Sequence, residues 1–181
     1  MVEAIKACPC LEYLDLEGNT LGTPAAEAIA DALKEKGTPL KRALWKDMFT
    51  GRLKTEIPKA LEHLGTALCT AGSRLTELDL SDNAFGPIGI QGLANLLASS
   101  PCYTLEQLKL NNNGLGISGG KMLAKALEKC HENSSKEGET LCICNFIYFN
   151  TLPIGSDTYK PINRLPVGKV LIYSKYARLM E

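Results

Sequence analysis

Apolar positions along this chain keep switching between two periods, and the switch itself recurs. Leu14 and Leu16, Leu78 and Leu80, and Leu108 and Leu110 alternate with polar neighbours, which predicts short strands buried on one side. A second rhythm follows each pair. Ala26, Ile29 and Leu33 lie 7, 10 and 14 residues beyond Asn19; Ile90, Leu93 and Leu97 lie equally far beyond Asn83, and Gly120, Leu123 and Leu127 beyond Asn113. Spacings of three and four put each trio on one helical stripe. Thr23-Pro24 suits a helix N-cap and first helical residue.

Aligned on that rhythm, LEYLDLEGNTLG from Leu11, LTELDLSDNAFG from Leu75 and LEQLKLNNNGLG from Leu105 share the form L-x-x-L-x-L-x-x-N, with an apolar residue and Gly following. A degenerate copy starts at Leu40, with Ala43 and Trp45 in leucine positions and Met48 in place of the asparagine. This is the leucine-rich-repeat signature. It predicts an α/β solenoid of the ribonuclease-inhibitor type, with parallel strands on the concave face and helices on the convex face. About four repeats are expected over residues 1–139, then a divergent, irregular tail over 140–181. Asn19, Asn83 and Asn113 form the structural ladder, their amides turned inward to satisfy backbone groups of adjacent coils. Trp45 reads as a core residue filling its layer.

The repeats start at 11, 40, 75 and 105, so the intervals are 29, 35 and 30. The second helix trio, Leu61, Leu64 and Leu68, lies 13, 16 and 20 residues beyond Met48, six more than in the other copies. KDMFTGRLKTEIP at 46–58 therefore carries an insertion of six residues. It predicts a lengthened loop protruding from the rim, with Arg52 and Lys54 at or beside its middle and Pro58 restarting the helix.

Net charge is zero over 20 basic and 20 acidic residues, so no global bias toward nucleic acid or an anionic membrane exists. Lys41, Arg42, Lys46, Arg52 and Lys54 make 40–54 locally basic against Asp47. Seven cysteines, an odd number without a CxxC pair, argue against a disulfide framework and a zinc site. Reduced thiols in a cytosolic or nuclear compartment are expected. No signal peptide or membrane span is recognisable, and no metal or cofactor is expected. GLGISG at 114–119 has the G-x-G-x-x-G spacing, but the other copies read NTLGTPAA and NAFGPIGI, so its glycines belong to the repeat's turn. SGGK-Met lacks the Walker pattern, and nucleotide binding by the chain itself is not expected. His63 and His131 have no ligand partners at suitable spacing.

LEYLDLEGNTLG, WKDMFTGRLKTEIPKAL, LTELDLSDNAFGP and LEQLKLNNNGLG together resemble the Ran GTPase-activating protein family, over about residues 4–139. The resemblance implies a crescent that binds the small GTPase Ran in its GTP form and stimulates GTP hydrolysis in nucleocytoplasmic transport. The hydrolytic chemistry would stay in Ran, so the chain is expected to be a regulator rather than an enzyme. It further implies no arginine finger: Ran's own glutamine is positioned, and an asparagine of the crescent supports the nucleotide site. That asparagine matches Asn112, one position before the ladder residue and pointing out of the coil like Gly18 and Asp82. The family's arginine matches Arg52, with a docking and electrostatic role, and Lys54 matches a basic position facing Ran. Lys46 and Asp82 on the same rim are further expected partner contacts. A cytoplasmic location, at the cytoplasmic face of the nuclear pore, follows from the same resemblance. A binding-only repeat module and an inactive truncated product are the alternatives.

Both ends depart from the pattern. Ala4 and Ile5 are what remains of a preceding helix. Leu141, Cys144 and Phe146 fit a fifth strand, but Phe149 stands where Asn is expected and the helix stripe is lost. KVLIYSKYARL reads as a strand or a short helix. The family's further repeats, acidic segment and C-terminal domain have no counterpart, so a fragment or alternative product is expected. LCICNFIYF at 141–149 is an uncharged, β-prone run, and at an uncapped end it predicts marginal stability and self-association.

Overall fold

A computed structural model of the chain describes residues 1–139 and two short strands beyond them, Ile147–Tyr148 and Ile172–Tyr173. Helices α1 (Val2–Ala7), α2 (Thr23–Lys36), α3 (Glu56–Ala71), α4 (Gly86–Leu97) and α5 (Gly116–Lys136) alternate with strands β1 (Tyr13–Asp15), β2 (Arg42–Leu44), β3 (Glu77–Asp79) and β4 (Gln107–Lys109). The four strands form one parallel sheet in chain order, and Leu14, Ala43, Leu78 and Leu108 stand side by side in register. These four are buried, as are Leu16, Trp45, Leu80 and Leu110 in the next inward row. Strands repeat every ~4.8 Å, whereas packed helices need ~8–10 Å. A sheet backed by helices on one side must therefore curve with its strands inside, the expected solenoid geometry.

The helix trios follow the predicted stripes. Ala26, Ile29 and Leu33, Leu61, Leu64 and Leu68, and Ile90, Leu93 and Leu97 are all buried. In α5, Leu123 and Leu127 are buried, but Gly120 is only half-buried and its neighbour Gly119 takes the inward place. Packing between α3 and α4 is close enough that a Cβ on Gly92 would lie 2.7 Å from Pro58 Cα, so only glycine fits there.

Two helix starts differ from expectation. Helix α2 is capped by Gly22 rather than Thr23, with Pro24 in the first turn. Helix α3 begins at Glu56, so Pro58 is its third residue and does not start it. It begins eight residues after Met48, against four after Asn19 and three after Asn83 and Asn113. The insertion is thus shared between the loop and a longer first helical turn.

Of the three expected ladder residues, Asn83 and Asn113 bond backbone groups of neighbouring coils, and Asn19 does not. Asn83 Oδ1 accepts from the amides of Met48 (2.9 Å) and Phe49 (3.2 Å), and its Nδ2 donates to the carbonyls of Trp45 and Leu80, both 2.9 Å away. Asn113 Oδ1 accepts from Asn83 N at 3.0 Å, while its Nδ2 reaches Leu80 O at 2.9 Å. Asn19, in the first repeat, is half-buried and donates only within its own turn, to Leu16 O and Glu17 O. Met48 supplies no amide for the layer before it; it fills the core instead, fully buried. Trp45 is fully buried as expected, and its Nε1 has no hydrogen-bond partner among the described residues.

Beyond residue 139, strand β5 (Ile147–Tyr148) pairs in parallel with β6 (Ile172–Tyr173), so a strand occurs within the KVLIYSKYARL segment. The expectations for Leu141, Cys144 and Phe146, and for the self-associating surface there, fall outside the described residues.

Candidate functional site

The residues singled out lie on the turns that leave the C-terminal ends of the strands. The position before each ladder residue has a left-handed backbone in all four repeats: Gly18 at φ +70°, Asp47 at +48°, Asp82 at +60° and Asn112 at +51°. Glycine adopts this conformation freely, and aspartate and asparagine tolerate it better than other residues. The turn thus selects short polar side chains and stacks them, repeat upon repeat, along one exposed lip.

Asn112 is exposed and its Nδ2 donates to Asp82 Oδ1 at 3.0 Å. Lys46 Nζ lies 3.9 Å from the other oxygen of Asp82 and 2.9 Å from Glu17 Oε1. Glu17, Lys46, Asp82 and Asn112 therefore form one polar line that crosses all four repeats. The Lys46 ammonium is held above its ordinary pKa, chiefly by its hydrogen bond and charge interaction with Glu17 and then by Asp82. Glu17 was not anticipated. Its sequence signal is register: Glu17 and Lys46 both stand two places before the ladder position of successive repeats, so opposite charges face each other across adjacent strands.

The inserted loop is anchored at its root. Met48 and Phe49 are buried, and the Phe49 ring packs at 57° against Phe85, 6.2 Å between centroids. Leu21 N donates to Met48 O at 2.8 Å, fastening the loop to the preceding turn. Thr50 Oγ1 bonds Asp47 Oδ1, Gly51 turns at φ +73°, and Glu56 Oε2 accepts from Leu53 N at 3.0 Å before the helix.

Arg52 does not project as expected. Its Nε donates to Thr20 O at 2.8 Å and its Nη2 lies 3.4 Å from Thr20 Oγ1. The guanidinium also lies over Gly22, where an added Cβ would meet Nη1 at 3.2 Å. Two donors of one rigid fork grip one residue of the neighbouring repeat, and this geometry folds the side chain back. Lys54 and Leu53 are exposed at the loop's far end, and Lys54 makes no ion pair among the described residues. The local positive charge is also smaller than the sequence implies, because Arg42 pairs with Glu77 at 2.6 Å and Lys46 with Glu17.

No hydrogen bond joins Arg52, held on Thr20, to Asn112, held on Asp82. Arg52 rests on the first repeat and Asn112 sits in the fourth, on the order of 15 Å away at ~4.8 Å per strand. On the open face of the sheet, Glu77 takes Arg42 on one side and Lys109, at 2.5 Å, on the other, with Asp79 3.7 Å from the same lysine. Burial opposes ionisation of Glu77, yet hydrogen bonds from Lys109 and Arg42 outweigh it and hold its carboxyl below the usual range. Among the described residues, no cluster of three or more His, Cys, Asp and Glu side chains could hold a metal ion.

In-register parallel strands, an inward asparagine ladder and one outer helix per coil define the leucine-rich-repeat fold. Residues 7–30, 74–94 and 102–124 match the family model described as Leucine Rich repeat; the degenerate copy at Leu40 escapes that match but forms a full coil. Within this class the chain is similar to Ran GTPase-activating proteins. It is 56% identical over 147 residues to Ran GTPase-activating protein 1 of Xenopus laevis, covering 81% of this chain and 25% of that protein. Identity to the Ran GTPase-activating protein of Drosophila melanogaster is 52% over 147 residues, or 81% of this chain and 24% of that one. Ran GTPase-activating protein 2 of Caenorhabditis elegans is 55% identical over 138 residues, 76% of this chain and 14% of its own. The chain spans about a quarter or less of the length of these relatives.

Proposed function

We propose that this chain binds the small GTPase Ran in its GTP form through the lip bearing Lys46, Arg52, Asp82 and Asn112, and stimulates its GTP hydrolysis. The observation that carries the reading is the likeness to Ran GTPase-activating proteins, at 52% identity or more over 81% of the chain for two of them. The chemistry belongs to Ran, and the chain acts as its regulator in nucleocytoplasmic transport, on the cytoplasmic side of the nuclear pore. Asn112, the exposed amide of the fourth repeat, is the group directed toward the nucleotide site and Ran's catalytic glutamine. Arg52 contributes by fixing the inserted loop and by its field, since entering a phosphate site would cost it both bonds to Thr20. Lys54 at the loop's exposed end adds a cation for docking.

Phosphate release from Ran·GTP with the purified chain at micromolar concentration tests the reading. Acceleration by wild type, with most of it lost in Asn112→Ala while Ran·GTP capture persists, is the expected result. Capture without acceleration would identify a binding-only module; neither capture nor acceleration by folded protein would reject Ran as the partner.

A further inference from the structure

The hydrogen bond between Asp82 and Asn112 has a direction that chemistry fixes. An ionised carboxylate has acceptor sites only, so the side of the Asn112 amide facing Asp82 must be its NH2 group. The carbonyl oxygen is then turned away from Asp82, and it accepts no hydrogen bond from any described residue. A solvated asparagine would present either end of its amide to a partner. This one is held 3.0 Å from a carboxylate whose second oxygen has Lys46 Nζ 3.9 Å away. Both backbones are fixed as well, Asp82 at φ +60° and Asn112 at +51°, so the two side chains leave equivalent points of stacked turns.

We infer that Asp82 is a positioning residue: it sets the sense of the Asn112 amide so that a bare carbonyl oxygen faces the partner, where it accepts a hydrogen bond from an N–H or O–H group. This rests on the reading of Asn112 above and assigns Asp82 a task other than direct partner contact. Lys46 supports it by balancing the carboxylate's charge, and Glu17 holds Lys46 in place at 2.9 Å. A preset amide acts at no ordering cost when the partner arrives. Without Asp82, both amide senses are populated and the competent one must be selected in each encounter.

The test uses Asp82→Asn, which keeps shape, suits the left-handed backbone and removes the obligate acceptor. Single-turnover hydrolysis of Ran·GTP is measured over a range of chain concentrations. The expected result is a fall of about tenfold in the maximal rate, as for loss of one charge-assisted hydrogen bond, with half-saturation within about twofold. The double variant Asp82→Asn/Asn112→Ala should be no slower than Asn112→Ala alone, because the two act as one unit. A change confined to half-saturation and its salt dependence, or additive losses in the double variant, would overturn the inference and make Asp82 a plain contact. Side-chain amide resonances of Asn112 give an activity-free readout. In wild type the two Nδ2 protons should be well separated and slow to exchange; in Asp82→Asn they should move toward solvated values while the backbone spectrum is retained. Unchanged Asn112 resonances sink the inference even if Ran·GTP is not turned over. Wild-type activity lost in Asn112→Ala but intact in Asp82→Asn sinks it alone and leaves the functional reading standing.

Discussion

Arg52 reaches back across the repeat boundary and donates from Nε to the carbonyl of Thr20 at 2.8 Å. The insertion is therefore stitched to the coil before it as well as seated on the coil after it, where Asn83 Oδ1 accepts from Phe49 N. Arg52→Ala should raise hydrogen exchange at the amides of 50–55 while changing global stability by less than ~1 kcal/mol, because the contact is exposed. Arg52→Lys should not rescue the loop, since an ammonium lacks the rigid fork that holds one residue by two atoms. Gly22→Ala tests the same seat from below: its Cβ, 3.2 Å from Nη1, should push the guanidinium back slightly and raise exchange at 50–55 less than Arg52→Ala does.

Asn83 and Asn19 occupy the same ladder position yet should differ in worth. Asn83 is buried and serves Met48, Phe49, Trp45 and Leu80, so Asn83→Ala leaves several buried groups unpaired at ~1–3 kcal/mol each. Urea unfolding should lose at least ~3 kcal/mol. Asn19→Ala, at the half-buried end of the ladder, should cost about 1 kcal/mol. Equal losses would mean that the ladder is not shared between coils.

Periodicity made the scaffold legible. Leucine alternation located the strands, and three of the four helix trios were placed without error, because stacked coils force the same inward positions in each copy. The ladder role of Asn83 and Asn113 followed from position alone. The lip was less legible. Gly18, Asp82 and Asn112 read as outward positions, although the preference for left-handed backbone that they share with Asp47 was present in residue type. The facing of Lys46 and Glu17 was present in their register, whereas the meeting of Asn112 with Asp82 depends on rotamers across repeats that spacing does not encode. The course of Arg52 was missed for the same reason: a long, flexible cation on an inserted loop has no periodic constraint, and only the carbonyl of Thr20 and the open space over Gly22 decide where it lies.

Glu77 predicts an acid limb of stability. Its folded carboxyl lies below the ordinary carboxylate value because Lys109 and Arg42 outweigh the cost of burial. The unfolded chain therefore binds the proton more readily, so stability rises with pH across that interval. The contribution is present above the unfolded value and disappears as pH falls through the depressed folded value. Urea midpoints between about pH 7 and pH 3 should fall less steeply in Glu77→Gln than in wild type. The variant should also be less stable near neutrality, because Arg42 and Lys109 lose their shared acceptor.

The buried thiols of the fourth coil report how often that coil opens. Cys130 Sγ lies 3.7 Å from the carbonyl of Cys102, and burial pushes the Cys130 pKa up to about 12. Cys102 is raised well above the usual thiol range by burial, with the neighbouring Cys130 and Cys69 adding to it. Neither can supply thiolate in the closed state, whereas Cys10 and Cys69 are exposed. Iodoacetamide at about pH 8 should modify Cys10 and Cys69 first and spare Cys102 and Cys130 until denaturant is added. Any residual native modification of Cys130 then measures transient lifting of α5 from the turn at Ser100–Cys102. Peptide mass spectrometry over a urea series would follow both classes of thiol at once. If α5 is the weakest coil, Cys130 should become reactive at lower urea than the unfolding midpoint of the sheet. Modification of Cys130 as fast as Cys69 in native buffer would contradict its burial against Cys102.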